Sequence, residues 1–251
     1  MTGEALPFPF RLIAYETIGS TNDELKRLAR EGAAEGLVVS AERQTAGRGR
    51  RGRNWVSPAG NLYASILLRP RCRAAEAAQL GFVAALGVAG AIGELAPGVA
   101  VHCKWPNDLL ADGAKICGIL LETEMTAGDR PDFVVVGIGV NLATSPTDTP
   151  YPATSLVAEG AHGIAPLSML PALVRHFAGW LTLWREQGFA PIREAWLARA
   201  MGLGEPIQVR LERDTLDGRF LDLDGNGALM LGTAGGSRRI AAGEIFPARA
   251  A

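Results

Sequence analysis

Four arginines fall within six positions of the stretch QTAGRGRRGRNW, residues 44–55: Arg48, Arg50, Arg51 and Arg53, interrupted by Gly49 and Gly52. Guanidinium groups present rigid forks of donors that match carboxylate and phosphate oxygens, and glycines leave the backbone free to wrap around a ligand. The chain as a whole has a formal net charge of −1. The positive charge is therefore local, which argues against a protein that coats DNA or an anionic membrane through its overall charge.

Three chemistries could use such a loop. GRGRRG (47–52) satisfies the spacing of a dinucleotide fingerprint, but that motif must run straight into a helix. Here RNWVSPAGNLYASILL follows, with Pro58, Gly60 and then a strand pattern, so this reading is rejected. An arginine-rich nucleic-acid segment using Trp55 for stacking suits basic or disordered surroundings, and this loop lies between two apolar strands. A mobile lid that binds an anion fits best. Without an anion its arginines repel one another, and the loop is expected to be poorly ordered.

The elements around the loop follow from pattern. FRLIAYE (10–16), LVVSA (37–41) and NLYASILLR (61–69) read as strands. STNDELKRLAREG reads as a helix, with capping-box spacing from Thr21 to Glu24 and Gly32 at its C′ position. Ser20, Thr21 and Asn22 then sit at a helix N-terminus, where simple capping competes with ligand binding as their role. An Ala-rich helix covers roughly 74–95. Its uncharged stretch, Ala77 to Gly93, nears membrane-span length but reads as a buried helix. VAVHCKW (99–105) and LLA (109–111) are short strands, Asp112-Gly113 a hairpin turn, and KICGILLETE (115–124) its return strand. FVVVGIGVNL (133–142) suits a central strand. Two helices fill 166–200, where Pro171 either kinks or restarts the first. After Gly204 short strands alternate with turns assigned to LDG and DGNG, as in a small β-barrel.

At 251 residues, 48% hydrophobic and 20% charged, the chain suits one large domain with a small companion. Cys72, Cys103 and Cys117 show no C-x-x-C spacing and read as free thiols, and MTGEALPFPF shows no signal-peptide pattern. A cytoplasmic protein with no membrane partner is expected. His102, His162 and His176 are scattered, without zinc spacing or a nucleophile-base constellation.

Four stretches occur in order: STND (20–23), QTAGRGRRGRNW (44–55), KWPNDLL (104–110) with KICGILLE (115–122), and VGIGVNL (136–142). Together they resemble the biotin protein ligase family, also called biotin–acetyl-CoA-carboxylase ligases, in the form without an N-terminal DNA-binding domain. The resemblance implies an α+β fold: a mixed-sheet catalytic domain (1–203), related to class II aminoacyl-tRNA synthetases, and a C-terminal SH3-like β-barrel (204–251). It implies a two-step reaction, in which biotin and ATP give biotinyl-5′-AMP and the acyl group passes to a lysine of a biotin carboxyl carrier domain.

Residue by residue, the resemblance assigns Lys115, Arg48 and Arg50 to catalysis, at the carboxylate and α-phosphate. It assigns biotin to Ser20, Thr21, Asn22 and Gln44 around its ureido end, to Gly47 and Gly49 in the loop, and to Gly118 and Gly139, where the backbone comes close to the ligand. It places Arg50, Arg53, Trp55, Lys104, Asn107, Lys115 and Asn141 on the ATP and adenylate side, with Trp55 as core filler left open. Asp108 is its Mg²⁺ contact. The pattern begins by residue 10, so no helix-turn-helix domain and no operator binding are expected, while a homodimer stays open. Lipoate–protein ligase, with the same fold and reaction type, is the nearest alternative, and a nucleic-acid-binding module is the alternative of another class.

Overall fold

The computed structural model describes residues 5–125, 128–149 and 151–248. Residues 1–4 and 249–251, the outer ends of the two expected domains, lie outside it, as does residue 150 of the loop after VGIGVNL.

Strand β1 (Arg11–Ile18) leads into helix α1 (Thr21–Arg30), followed by β2 (Leu37–Gln44), the arginine loop with one 3₁₀ turn at Arg50–Gly52, and β3 (Leu62–Leu68). Helices α2 (Ala74–Ala77) and α3 (Leu80–Leu95) come next, then β4 (Val101–Lys104), β5 (Asp108–Ala111), β6 (Ala114–Met125) and β7 (Pro131–Val140). Helices α4 (Pro166–Gln187) and α5 (Phe189–Leu197) precede five short strands: β8 (Pro206–Arg210), β9 (Thr215–Leu223), β10 (Leu229–Thr233), β11 (Gly236–Ile240) and β12 (Glu244–Pro247).

The first seven strands form one sheet in the order β1-β2-β3-β7-β6-β5-β4, parallel only between β1 and β2. This is the mixed α+β sheet expected. Strand side chains alternate between faces, so each strand splits its apolar residues between two layers. On one face Val38, Ile66, Leu68, Val134 and Val136 join the large core under α3, α4 and α5. On the other, Val39, Leu67, Phe133 and Val135 pack against Leu25 and Ala29 of α1. The apolar stretch Ala74–Leu95 is long and apolar enough to cross a membrane by composition, and most of it is buried in the core.

The last five strands make an antiparallel sheet in the order β11-β10-β9-β8-β12. Its apolar residues Val209, Phe220, Leu229 and Leu231 belong to the same core as α3 and α4. The β9–β10 turn is gripped by the large domain. Trp105 Nε1 donates to Gly227 O at 3.0 Å, and a Cβ on Gly227 would meet the Phe82 ring at 2.6 Å.

Four local expectations change. Ser20, not Thr21, caps α1, its Oγ accepting from Asp23 N at 3.4 Å. Glu24 instead accepts from Tyr15 Oη at 2.9 Å and pairs with Arg27, so its carboxylate is engaged away from the cap. The helix over 74–95 is divided at Ala78–Gln79 into α2 and α3, whereas Pro171 neither ends nor restarts α4. LDG is not a turn: Leu216, Asp217 and Gly218 lie inside β9, and the β8–β9 turn spans 211–214. Gly218 marks a close cross-strand approach, because a Cβ there would stand 2.5 Å from Gly232 O. Gly32 does end α1: Ala33 N bonds to Leu28 O and Gly32 N to Ala29 O, a Schellman pattern.

Candidate active site

The α1 face of β7 reads Phe133, Val135, Gly137, Gly139. The first two are core residues under α1; at the glycines the filling stops and a cleft of about 600 Å³ opens beside the helix N-terminus. Register carries the cleft across the sheet, since Gly137 lies opposite Ser65 and Leu120, and Gly139 opposite Tyr63 and Gly118.

A β-bulge brings Lys115 to this cleft. The β5–β6 register shifts between Leu109 and Leu110, and the neighbours Ile116 and Cys117 both enter the core on the opposite side. The inserted residue reverses the alternation, which leaves Lys115 on the same side as Gly118. Its Nζ lies 2.6 Å from Asp108 Oδ1 and 5.4 Å from the Trp55 ring centre. The Asp112-Gly113 turn before it has positive φ at both residues, as a tight hairpin requires.

At one end of the cleft, the start of α1 builds a buried polar cluster. Gln44 Oε1 accepts from Thr21 N (2.9 Å) and Thr21 Oγ1 (3.1 Å), and Gln44 Nε2 donates to Ser57 Oγ (3.0 Å). Ser65 Oγ lies 2.8 Å from Thr21 Oγ1 and 2.6 Å from Asn22 Oδ1. A hydroxyl carries one proton, so Ser65 donates to only one of them. Asn22 Nδ2 donates to Glu122 Oε2 at 2.7 Å. Asn22 sits directly over Gly137, where a Cβ would be 2.2 Å from its Oδ1.

The arginine loop crosses the cleft as a folded strap. Gly49 N bonds to Arg53 O and Trp55 N to Gly47 O, closing it as a hairpin. A Cβ on Gly47 would lie 2.6 Å from Trp55 O, so this glycine is needed by the loop itself. The expected mutual repulsion of the arginines is relieved by the protein's own groups. Arg48 pairs with Asp23 at 2.5 Å, and Arg53 with Glu244 at 2.7 Å. Arg50 donates to Asn107 Oδ1 at 2.9 Å. Arg51 is exposed with φ at 57°. In this conformation Asp23 and Glu244 supply the anions that the loop sequence alone lacks.

At the far end, Lys104 is 4% exposed, with Nζ 3.9 Å from the Tyr151 ring centre and 4.7 Å from that of Phe246. Burial pulls the pKa of both Lys104 and Arg50 below the ordinary values. Neither has a carboxylate at ion-pair distance among the described residues. A buried ammonium and a half-buried guanidinium, neither closed on a carboxylate, make this end of the cleft complementary to an anion.

Sequence comparison then gives the family. A sequence model described as "Biotin/lipoate A/B protein ligase family" matches residues 41–198, and one described as "Biotin protein ligase C terminal domain" matches 202–246. The chain belongs to the biotin/lipoate A/B protein ligase family. It is 45% identical to the biotin–acetyl-CoA-carboxylase ligase of Paracoccus denitrificans, over 90% of this chain and 96% of that one. It is 36% identical to the bifunctional ligase/repressor BirA of Bacillus subtilis, over 93% of this chain and 73% of that one. Among solved structures it resembles the biotin protein ligase of Aquifex aeolicus in complex with biotin and ATP, with TM-score 0.81 and 29% identity, covering 95% and 98% of the two chains.

In this ligase-family chain, Ser20, Thr21, Asn22, Gln44, Arg48, Gly49, Arg50, Arg53, Trp55, Lys104, Asn107, Asp108, Lys115, Gly118, Gly139 and Asn141 all line the one cleft. Gly47 lies just outside it in the loop hairpin. Four of these residues also serve the protein's own packing and hydrogen bonding. Gly118 and Gly139 make room for the Trp55 indole, because a Cβ would stand 2.9 Å and 2.6 Å from its ring atoms. Asn107 is engaged at both ends of its amide, by Arg50 and by Ile119 O at 2.7 Å. Asn141 Nδ2 donates to Thr154 O at 2.9 Å and so pins the loop beyond β7. Ser65, Glu122, Gly137 and Tyr151 were not singled out from sequence. Gly137 lies within VGIGVNL and could have been, whereas the others need the sheet register or the loop path.

Proposed function

We propose that the protein is an ATP-dependent ligase that activates biotin as biotinyl-5′-AMP and transfers the acyl group to a lysine of a biotin carboxyl carrier protein. Relatives in Paracoccus denitrificans and Mycobacterium tuberculosis are named biotin–acetyl-CoA-carboxylase ligase, which supports the reading. The observation that carries the reading at this site is a pair of cations, buried Lys104 and half-buried Arg50, facing a cleft whose other end is a polar helix N-terminus.

The two reactants are both anionic and repel each other, so alignment and charge stabilisation are the main requirements. Biotin's ureido group is placed against Ser20, Thr21, Asn22 and Gln44, with its tail running past Asn22 and Trp55, the side chains that cover Gly137 and Gly139, toward Lys115. ATP is placed at the other end, its base beside Trp55 and its phosphates near Arg50, Arg53 and Lys104. A carboxylate oxygen attacks the α-phosphorus, the bond to the β-phosphate oxygen breaks, and pyrophosphate leaves with the electron pair. Lys115 and Arg50 hold the oxygens on which charge gathers. In the second step the neutral amine of the carrier lysine attacks the acyl carbon, the bond to AMP breaks, and the amine's proton passes to solvent. The strap of arginines keeps water from the mixed anhydride meanwhile.

Among the described residues no group of three His, Cys, Asp or Glu side chains could hold a metal ion. Asp108 is a single carboxylate already paired with Lys115, which fits a Mg²⁺ carried on the triphosphate with at most one protein contact. When bound, that ion supplies charge neutralisation on the leaving pyrophosphate. Free thiols at Cys103 and Cys117 accord with a reducing, cytoplasmic setting.

Acid-dependent ATP–pyrophosphate exchange tests the reading. Exchange supported by biotin and not by lipoate is expected; exchange with lipoate alone would replace it by the lipoate-ligase alternative.

A further inference from the structure

Of the loop's four arginines, only Arg48 has its fork closed on a carboxylate of the first helix. Nη1 donates to Asp23 Oδ2 and Nη2 to Asp23 Oδ1, each at 2.5 Å. Asp23 lies in the first turn of α1, beside the residues that form the polar end of the cleft, yet it does not itself line the cleft. The bridge continues inward. Lys26 Nζ lies 3.0 Å from Asp23 and 2.6 Å from Glu122, and the other oxygen of Glu122 holds Asn22 Nδ2. Loop, helix and β6 are thus joined by one chain of charge-assisted contacts. The opposite end of the strap is fixed separately, by Arg50 on Asn107 and Arg53 on Glu244.

A strap anchored at only one end swings, whereas one anchored at both ends covers what lies beneath it. We propose that Asp23 is a positioning residue whose carboxylate latches Arg48 and thereby holds the loop over the cleft, retaining the acyl-adenylate until the acceptor amine arrives. The inference rests on the reading under Proposed function. It gives the Arg48 side chain a task on the helix, and leaves Arg50 and Lys115 as the cations that face the reacting atoms. The pair is half exposed, so its contribution is modest and sensitive to salt.

The test compares wild type with Asp23→Asn, Asp23→Glu and Asp23→Ser, the last keeping a side chain suited to a helix start. Each is loaded with biotin and ATP, freed of excess nucleotide, and followed for release of labelled adenylate at low and high salt. Biotin-dependent ATP–pyrophosphate exchange and thermal midpoint are measured alongside. Release about fivefold faster in the Asn and Ser variants is expected, with kcat for exchange unchanged, salt sensitivity lost, and the wild-type rate restored in Asp23→Glu. Wild-type release rates in both Asn and Ser variants would overturn the latch. So would equal losses in exchange and thermal midpoint in all three variants, which indicate a purely structural role. A wild-type protein that fails to exchange pyrophosphate with biotin overturns the function itself, and the latch with it.

Discussion

The indole of Trp55 occupies the space above Gly118 and Gly139, two residues that face each other across the β6–β7 ladder. Its Nε1 is buried and has no hydrogen-bond partner among the described residues. The glycines therefore serve the tryptophan first, and any ligand through it.

A methyl group on Gly139 would displace the ring, and the open cleft gives the ring somewhere to go. Gly139→Ala is expected to raise KM for ATP about tenfold, since one aromatic stacking surface is worth roughly 1–3 kcal/mol, with the thermal midpoint little changed. Saturation kinetics in both substrates check this. An unchanged KM for ATP would remove Trp55 from the nucleotide side and return it to core filling.

Lys115 stands against Asp108 with its amine partly exposed, so removing it leaves no void in the core. Lys115→Ala is expected to lower pyrophosphate exchange by about 100-fold or more, in line with the loss of one charge-stabilising donor, while circular dichroism stays the same. Exchange at the wild-type rate would refute its role.

Arg50 is half-buried beneath the loop, and Asn107 is its positioning partner. Arg50→Gly is expected to speed adenylate dissociation about tenfold, the loss of roughly one charge-assisted hydrogen bond. Promiscuous labelling of added protein amines gives the readout; labelling confined to the carrier domain would count against the loop as a lid.

Lys104 carries a cost in stability. Its pKa in the folded chain is lowered, with burial as the largest cause, so the folded state disfavours the charged amine. That cost is fully present below the folded-state pKa and fades as pH rises toward the unfolded value of 10.5. Lys104→Met is therefore expected to be more stable than wild type at neutral pH by about 1 kcal/mol, with the gap closing as pH rises, and to be inactive in exchange. Denaturant midpoints taken across the alkaline range check the sign.

The chemistry of this site was legible where it is local in sequence. The loop's arginines, the Lys115 hairpin, the placing of residues 20–22 at a helix start and the end of that helix at Gly32 depend on residues within a few positions of one another. What sequence did not yield depends on register or on long-range partners. Ser65 faces Gly137 only because β3 and β7 pair as they do. Asp23 meets Arg48 across 25 positions, and Glu122 meets Asn22 across 100. The LDG stretch reads as a turn because a glycine that permits a turn also permits close strand packing, and Gly232 O, 2.5 Å from where a Cβ would stand, tells the two apart.

The grip of Phe82 and Trp105 on Gly227 has a mechanical meaning. With apolar residues of both sheets sharing one interior, the small sheet is a fixed post on the frame of the large one, and Glu244 on that post is where one end of the arginine strap is tied. Opening the cleft is then a matter of untying cords, not of swinging a door. Cutting the chain before β8 would strip away the post and lay bare the apolar surface that surrounds it.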